Sequence, residues 1–370
     1  MTGHVAFDLG PLRPGAAGVG RYVASLFAAM GDRAPTRELV GIGLRRDVAN
    51  PAPVLAARAR ASMPYPIWLE LGAAVQAKRS GATLVHYTDG IAPLMRVGRT
   101  VVTIQDLSIV RWRQAHRLAR YPRIPLTLAA ARLADRVLVP SQATADEVVR
   151  LARVPASSIT VTPLAAGAAF APVGSSIADP VVRQHGLEPE GYVLCLGTVE
   201  PRKNHLRLVE AFERLVAARA MPDGMQLAIA GSLGWGYQPV LDRIGGSPAH
   251  GRIRMLGFVP DQDLAALLSR AALVSYVSLY EGFGLPVLEA LACGAPVVTS
   301  NASSMPEVAG DAAVLVDPND VDEIASGVRD LLAADAATRA RMRAAGLRRA
   351  ALFSWAHTAT LTDAVYEGLG

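Results

Sequence analysis

The chain has 370 residues, of which 51% are hydrophobic and 19% charged, with a formal net charge of +5. This length is enough for two ordinary domains, and the composition excludes extensive disorder. The sequence has only Cys195 and Cys293, no signal-peptide pattern at its start, and no uninterrupted apolar run of about 18 residues. We therefore expect neither disulfides, nor a CxxC metal site, nor a membrane span, and we expect a cytoplasmic protein.

Short β-branched runs alternate with helical stretches along the whole chain. Near-continuous apolar runs are typical of strands that are buried on both faces of a parallel sheet, and helices between them indicate βα units. The predicted strands lie within 4–10, 39–44, 83–89, 101–106, 136–141, 159–165, 192–198, 226–231, 253–259, 273–279, 296–301 and 313–318.

Twelve strands are too many for one sheet, so the chain is predicted to divide into two domains. Proline, glycine, serine and charged residues accumulate at 171–190, which we interpret as a linker. The sequence predicts Rossmann-like doubly wound domains at 1–170 and 191–352, and a C-terminal helix within 353–370 that packs back on the first domain. Because such folds bind ligands at the carboxyl ends of their strands, we expect one cleft between the domains.

A glycine-rich turn at 13–22 follows the first strand. A dinucleotide-binding turn is one interpretation. That interpretation would require an acidic residue at the end of a second strand, and the run at 39–47 reaches Asp47 only after two arginines.

The segment 111–136 contains seven arginines and one acidic residue, with Trp112 and Tyr121 among them. Residues 1–170 carry a net charge of +11 and the remainder carries −6, which suggests an anionic partner for the first half. No module that reads bases accompanies the arginines, so an anionic membrane surface or a lipid-diphosphate acceptor fits better than nucleic acid. A solvated helix face, or a coding bias toward arginine, remains the alternative.

The segment 196–212 places two cations at the start of a helix. A strand ends near Gly197, Asn204 opens the helix, and Arg202 and Lys203 come just before it. Such cations can neutralise a departing diphosphate, which is the work of the metal ion in metal-dependent transferases. The alternative is an exposed basic turn.

The segment 280–298 has the pattern of an anion site. Pro286 lies where a helix would begin and Gly294 where it would end, so the N–H groups of 283–285 converge on one point that suits a diphosphate. Glu281 and Glu289 flank that point, and as carboxylates they are expected to accept hydrogen bonds from sugar and ribose hydroxyls. A helix cap and a solvated surface residue are the alternatives.

The spacing of Glu281 and Glu289 resembles the E-x7-E motif of family 4 retaining glycosyltransferases, and the segment 299–313 continues in the same style. The resemblance implies the GT-B fold, in which two Rossmann-like domains face each other across a cleft. It also implies that Glu281 contacts the donor sugar, that Glu289 contacts the ribose, and that Arg202 and Lys203 form the phosphate-binding pair.

The resemblance extends to the first half. It implies that the glycine loop, with Gly18, Gly20 and Arg21, closes over the phosphates and the acceptor. Relatives usually have histidine at the position of Gln105, near the donor sugar. Because glutamine does not titrate, a histidine base at this position is excluded. Asp106 is a candidate for orienting the acceptor, with a helix-capping role as the alternative.

Further donor contacts are implied near other strand ends. The backbone of Phe258 and Val259 is expected to contact the nucleobase, and Gly231 is a strand-end glycine that would allow close approach of a ligand. Some relatives have an additional arginine near Thr198. The embedded D-x-D of Asp261 and Asp263 precedes a helical pattern, which favours capping over metal binding.

The resulting prediction is a metal-independent retaining hexosyltransferase that requires no cofactor. The sequence resembles bacterial mannosyl- and rhamnosyltransferases of cell-surface polysaccharide synthesis, such as O-antigen or exopolysaccharide. GDP-mannose is the expected donor, with other GDP-, UDP- or dTDP-sugars as alternatives, and a lipid-linked or oligosaccharide chain is the expected acceptor. An epimerase of the same fold and a catalytically silent nucleotide-sugar-binding subunit are the rival functions.

The expected location is the cytoplasm, with peripheral attachment at the inner face of the membrane. The catalytic residues are expected to be Arg202, Lys203, Glu281 and Asp106. The donor-binding residues are expected to be Gly18, Gly20, Gln105, Gly197, Thr198, Gly231, Phe258, Val259, Phe283, Gly284, Leu285 and Glu289, and the acceptor residues Arg21 and Asp106.

Overall fold

A computed structural model of the chain describes residues 4–12, 18–32, 38–43, 68–93, 96–111 and 123–370. Its contacts divide the protein into two compact units. Unit 1 comprises Met1–Leu164 together with Ser354–Gly370, and unit 2 comprises Ala165–Phe353. The chain therefore leaves unit 1 once and returns to it for its last helix.

The described strands coincide with the predicted apolar runs, and every described strand pair is parallel, which confirms the predicted fold class. They are β1 His4–Asp8, β2 Leu39–Ile42, β3 Ala82–Tyr87, β4 Arg99–Thr103, β5 Arg136–Val139, β6 Ile159–Val161, β7 Tyr192–Leu196, β8 Gln226–Ala230, β9 Ile253–Gly257, β10 Leu273–Tyr276, β11 Val297–Ser300 and β12 Val314–Val316.

Helices connect these strands, as parallel pairing requires. None of the described helices has both the length and the apolar character needed to cross a membrane. They are α1 Gly18–Gly31, α2 Ala74–Arg79, α3 Ser108–Arg111, α4 Arg123–Leu133, α5 Gln142–Glu147, α6 Ser175–Gln184, α7 His205–Ala217, α8 Gln238–Gly245, α9 Asp261–Arg270, α10 Leu285–Ala292, α11 Met305–Ala309, α12 Val321–Leu332, α13 Ala336–Ala350 and α14 Trp355–Glu367.

The sheet of unit 1 has the strand order β2-β1-β3-β4-β5-β6. Buried side chains, mainly valine, isoleucine, leucine and alanine, cover both faces of this sheet, since successive buried residues of a strand point to opposite faces. Helix α14 packs against α1 in this unit. The two helices meet where the rings of Tyr22 and Trp355 lie 6.3 Å apart.

A buried chain of polar groups joins α14 to this sheet. The Tyr366 hydroxyl lies 2.6 Å from His86 Nδ1, and Thr103 Oγ1 lies 2.7 Å from His86 Nε2 and 2.8 Å from the Tyr22 hydroxyl. All four side chains are buried. Because unpaired polar groups are costly in such an interior, these hydrogen bonds hold α14, β3, β4 and α1 in one arrangement.

The sheet of unit 2 has the strand order β12-β11-β10-β7-β8-β9. Helix α7 buries Leu208, Phe212 and Leu215 against it, as the helical spacing of these residues predicts. Asp320 caps α12 by accepting from the N–H groups of Asp322 and Glu323.

The segment 171–190, expected as a linker, contains helix α6, and unit 2 begins before it, at Ala165. Ala178 and Val182 of α6 are buried, and the helix packs against α9. The Val173 N–H also donates to Ser269 Oγ over 3.0 Å. Pro180, Asp179 and Arg183, which contributed to the linker prediction, belong to an amphipathic helix whose apolar side the composition alone did not reveal.

Burial of His86 makes the stability of the protein depend on pH. Desolvation lowers the pKa of His86 from its usual 6.5 to about 3. Between pH 6.5 and about 3, His86 is protonated in the unfolded chain but not in the folded protein. As the pH is lowered through this range, His86 should therefore reduce the free energy of unfolding by up to about 1.4 kcal/mol per pH unit. Urea unfolding between pH 7.5 and 4.5 measures this slope.

The His86→Gln variant should show a shallower decline over the same pH range. Exposed His250, replaced by glutamine, is the control for loss of an imidazole. An unchanged slope in His86→Gln would contradict the assignment of this pH dependence to His86.

Candidate active site

In unit 2, the predicted site residues lie near the carboxyl ends of neighbouring strands. Parallel strands bring these ends to one edge of the sheet, where doubly wound folds bind ligands. The predicted residues of the first three strand ends are Gly197 and Thr198 after β7, Gly231 after β8, and Phe258 and Val259 after β9. Glu281, Phe283 and Gly284 lie between β10 and α10, and Leu285 is the first residue of α10.

The turn Pro201–Lys203 holds the two predicted cations between β7 and α7. Asn204 ends this turn in a left-handed conformation with φ 63°, and its side-chain amide donates to the carbonyls of Val277 and Pro318 over 3.0 and 2.7 Å. The N–H of Leu279 donates to the Arg202 carbonyl over 2.9 Å. These bonds fix the turn against the segment that follows β10.

Glu281 is the centre of the arrangement. Its Oε1 accepts from Lys203 Nζ at 2.7 Å, from the Tyr276 hydroxyl at 2.8 Å and from Ser278 Oγ at 2.7 Å. Its Oε2 accepts from Arg202 Nη1 at 2.7 Å. The carboxylate is buried and satisfied on both oxygens, and it holds the two predicted cations side by side.

Arg202 makes additional contacts that fix its guanidinium group. Its Nη1 donates to the Tyr280 carbonyl over 2.8 Å, and its Nε and Nη2 donate to Glu200 Oε1 over 3.1 and 2.8 Å. The guanidinium is thus held between two carboxylates. Because its planar set of donors is oriented, it is suited to binding an anion in a defined direction.

The titration properties of the cluster follow from burial and charge. Burial alone would raise the pKa of Glu281, but the charges of Lys203 and Arg202 outweigh it and lower the pKa to about 2. Desolvation lowers the pKa of Lys203, and the charge of Glu281 opposes this shift. Burial raises the pKa of the Tyr276 hydroxyl, which therefore stays protonated and can donate to Glu281 at neutral pH.

The loop between Glu281 and α10 is tightly constrained. Gly284 has φ +115°, and a Cβ atom there would overlap Met305 Cε. The hydroxyls of Ser303 and Ser304 donate to the Glu281 carbonyl over 2.5 and 3.0 Å. The loop therefore enters the helix in one conformation, which is what a set of directed N–H groups requires.

The structure excludes the structural alternatives for the two glutamates. The N-cap residue of α10 is Gly284, and no side chain caps this helix, so Glu281 does not act as a helix cap. Glu289 is buried on α10, so it is not a solvated surface residue.

In unit 1, two groups of predicted residues lie at helix starts. Gly18, Gly20 and Arg21 form the first turn of α1. Gln105 and Asp106 follow β4, and Asp106 Oδ1 accepts from the Ser108 N–H and hydroxyl over 2.8 and 2.6 Å. Asp106 thus stabilises the start of α3, as its capping alternative predicts.

Gln105 Nε2 is shielded from solvent and has no hydrogen-bond partner among the described residues. The residues 13–17 of the glycine loop, and Asp47, lie outside the described residues.

Within the arginine-rich segment 111–136, the structure describes the backbone of Arg111 and all residues from Arg123 onward. In the described part, the arginines bind within unit 1. Arg123 pairs with Asp89, Arg132 donates to the Ala152 carbonyl over 2.7 Å, and Arg136 donates to the Asp135 carbonyl over 3.0 Å. The remaining arginines, with Trp112 and Tyr121, lie outside the described side chains.

Sequence reasoning missed three residues of the cluster: Glu200, Tyr276 and Ser278. Tyr276 ends β10 and Ser278 follows two residues later. Two polar side chains at alternate positions after an apolar run were the pattern that could have indicated that both point into the site. Glu200 precedes Pro201 and gave no signal of its own, because only the folded turn brings it to Arg202.

Comparison with known proteins identifies the family. Residues 180–349 match "Glycosyl transferases group 1" and residues 17–165 match "Glycosyltransferase Family 4". The chain is 37% identical over 273 residues to the O-antigen chain mannosyltransferase B of Escherichia coli. The alignment covers 74% of this chain and 71% of that enzyme. The chain belongs to the family 4 glycosyltransferases.

Two further similarities bear on this glycosyltransferase. It is 34% identical over 249 residues to the serotype-specific mannosyltransferase WbdA of Escherichia coli, an alignment that spans 63% of this chain and only 29% of that much longer one. It also resembles the structure of Anabaena Alr3699/HepE in complex with UDP-glucose, with a TM-score of 0.77, 17% identity and coverage of 99% and 100% of the two chains. This likeness shows the GT-B fold.

Within the described residues, the glycosyltransferase has no group of three or more His, Cys, Asp or Glu side chains placed to hold a metal ion. Asp261 and Asp263 of the D-x-D lie in the first turn of α9, and Asp263 Oδ2 is 3.3 Å from His185 Nε2. No side chain caps this helix at its N-cap residue, Pro260, but carboxylates in its first turn are favoured by the helix dipole.

The close packing of two strand ends provides a test of the site geometry. A Cβ atom at Gly231 would overlap the Gly197 carbonyl and lie 3.1 Å from the Thr198 nitrogen. Gly231→Ala should therefore displace the end of β7 and destabilise the glycosyltransferase by about 1–3 kcal/mol. Chemical denaturation and donor-nucleotide titration measure the two effects.

Gly245→Ala is the matched control, because a Cβ atom at Gly245 meets no atom within 4 Å. It should leave stability and nucleotide binding near wild type. If Gly231→Ala behaves like Gly245→Ala, the ends of β7 and β8 are not rigid.

Proposed function

We propose that this glycosyltransferase moves mannose from GDP-mannose to a growing surface polysaccharide and retains the anomeric configuration. The observation that supports this most is the buried cluster in which Glu281 holds Arg202 and Lys203, since Glu281 also begins the loop that leads through Phe283 and Gly284 to the start of α10. Cations and directed N–H groups in one place suit a nucleoside diphosphate.

In this proposal the two cations and the loop amides bind the donor diphosphate. As the bond between the sugar and the diphosphate breaks, negative charge grows on the departing phosphate oxygen. Groups that are already oriented stabilise this charge without reorganisation, and this kind of electrostatic contribution is usually large in enzymes. Glu281 serves to orient Arg202 and Lys203, and it is also placed to accept a hydrogen bond from a sugar hydroxyl.

The proposed reaction is a front-face displacement. The acceptor hydroxyl oxygen forms the new bond to the anomeric carbon on the side from which the diphosphate leaves, and its proton passes to the departing phosphate oxygen. Gln105 cannot take that proton. Its shielded Nε2 is a hydrogen-bond donor suited to a donor-sugar oxygen. Asp106 would orient the acceptor, and Glu289 would bind the ribose.

Similarity to two enzymes named mannosyltransferases supports the choice of mannose. The nucleobase is expected to lie against the loop of Phe258 and Val259. Phe258 is 74% exposed at the end of β9, which leaves its ring accessible for stacking. A lipid-linked or oligosaccharide acceptor, and attachment to an anionic membrane through the arginine-rich segment 111–136, complete the proposal.

Removal of either cation should reduce turnover. Arg202→Ala and Lys203→Ala should each lower kcat by about 100- to 1000-fold, because each removes one oriented donor from the departing diphosphate. Arg214→Ala is the control, since Arg214 is an exposed arginine that pairs with Asp322 on the surface. Initial rates with GDP-mannose and an isolated acceptor fraction, measured well below the melting temperature of each variant, test this.

A wild-type kcat in both Arg202→Ala and Lys203→Ala would contradict the proposal that these cations stabilise the departing diphosphate. Consumption of the donor at the same rate without any acceptor would favour an epimerase. Tight binding of the donor with no transfer to any acceptor would favour a silent binding subunit.

A thermal-shift panel tests the donor nucleotide. Because ligand that binds only the folded state raises the melting temperature, GDP and GDP-mannose at about 100 times their dissociation constants should stabilise the protein by about 2.7 kcal/mol. UDP and dTDP should give smaller shifts, and Phe258→Ala should reduce the shift with GDP. A larger shift with UDP or dTDP would exclude GDP-mannose as the donor.

A further inference from the structure

Phe283 lies in the loop between Glu281 and α10, and its ring is buried. It contacts the ring of Phe353, with centroids 5.7 Å apart and an interplanar angle of 77°. This edge-to-face geometry is the one that aromatic pairs prefer. Sequence analysis did not connect the two residues, which are 70 positions apart.

Arg349 also contacts the Phe353 ring. The guanidinium carbon of Arg349 lies 5.1 Å from the centroid of the Phe353 ring. The same guanidinium donates to the Val308 carbonyl over 3.0 Å and to the Glu307 carbonyl, near the end of α11. A single side chain therefore donates to two carbonyls of α11 and contacts the ring that packs against Phe283.

Helix α11 supports the same loop at a second point. Met305, its first residue, packs so closely against Gly284 that a Cβ atom there would overlap it. Phe283 thus packs against the Phe353 ring, and Gly284 packs against Met305 of α11. Arg349 contacts the Phe353 ring and also donates to two carbonyls of α11. The amides of this loop are the ones assigned above to the donor diphosphate.

Phe353 also occupies a particular place along the chain. It is the last residue of unit 2, and Ser354 begins the return to unit 1 by capping α14 through a bond from the His357 N–H over 3.1 Å. Two residues after Phe353, the ring of Trp355 lies 6.3 Å from that of Tyr22 in α1. The support for the loop is thus part of the segment by which the chain returns to unit 1.

We propose that Phe353 is a positioning residue for donor binding. Its ring, held by Arg349, fixes Phe283 and so aims the amides of 283–285 at the donor diphosphate. The inference rests on the proposed function, because it assumes that these amides bind the donor. Phe353 itself contacts neither substrate nor reacting atoms in this proposal.

Substitutions at Phe353 test the inference through a split between kinetic parameters. Phe353→Ala should raise the KM for the donor by about threefold to tenfold, since the edge-to-face pair is lost and the loop amides are no longer held. The KM for the acceptor should not change. Phe353→Tyr, which keeps the ring, should restore the donor KM, and Phe353→Leu should give an intermediate value.

Amide hydrogen exchange gives a readout that does not depend on substrate. Peptides covering 281–288 should exchange faster in Phe353→Ala than in the wild type, and Phe353→Tyr should restore the slow exchange. Leu352→Ala is the matched control, because Leu352 is the neighbouring residue and is 66% exposed. It should change neither the donor KM nor the exchange.

The outcomes separate the two proposals. Wild-type exchange together with a wild-type donor KM in folded Phe353→Ala would overturn the inference about Phe353 alone. Faster exchange with an unchanged donor KM would show that the loop is supported as described but does not bind the donor, which would contradict the proposed function. If Phe353→Ala does not fold, the comparison of Phe353→Leu with Phe353→Tyr carries the same test.

Discussion

The candidate active site of this glycosyltransferase depends on one buried carboxylate. Glu281 would be costly to bury as an isolated charge, and it is tolerated because Lys203, Arg202, Tyr276 and Ser278 all donate to it. Those donors come from the turn before α7 and from the end of β10, so a single side chain joins two segments that are distant in sequence. Its pKa of about 2 means that this connection persists over the whole range of physiological pH.

The same interaction sets the electrostatic character of the site. Two carboxylates, Glu200 and Glu281, lie against two cations, Arg202 and Lys203, so the four charges balance within the cluster. The side chains of the two cations are therefore already ordered before a phosphate binds, so binding should cost them little conformational entropy. In the proposed reaction this order, rather than net positive charge, is what the enzyme contributes to departure of the diphosphate.

Much of the architecture was predictable from the sequence. The apolar runs predicted every described strand, because strands buried on both faces of a parallel sheet must be apolar almost throughout. The pattern around Gly284 and Pro286 predicted the helix start that the structure shows, because φ at these residues depends on local sequence. The segment 171–190 was misread because helix α6 is amphipathic and rich in turn-forming residues, and only its packing against α9 shows that it belongs to unit 2.

The sequence by itself determined the fold class and the family, and it marked Glu281, Glu289, Arg202 and Lys203 as candidate site residues. Those features depend on local periodicity and on short motifs, which the chain carries wherever it folds. Only the tertiary structure decided the partners of Glu281, the burial of His86 against Tyr366, and the support of Phe283 by Phe353. Except for Tyr276 and Ser278, which lie close to Glu281 in the sequence, these contacts join segments that are far apart along the chain, and no local pattern encodes which distant side chains will meet across a packed interior.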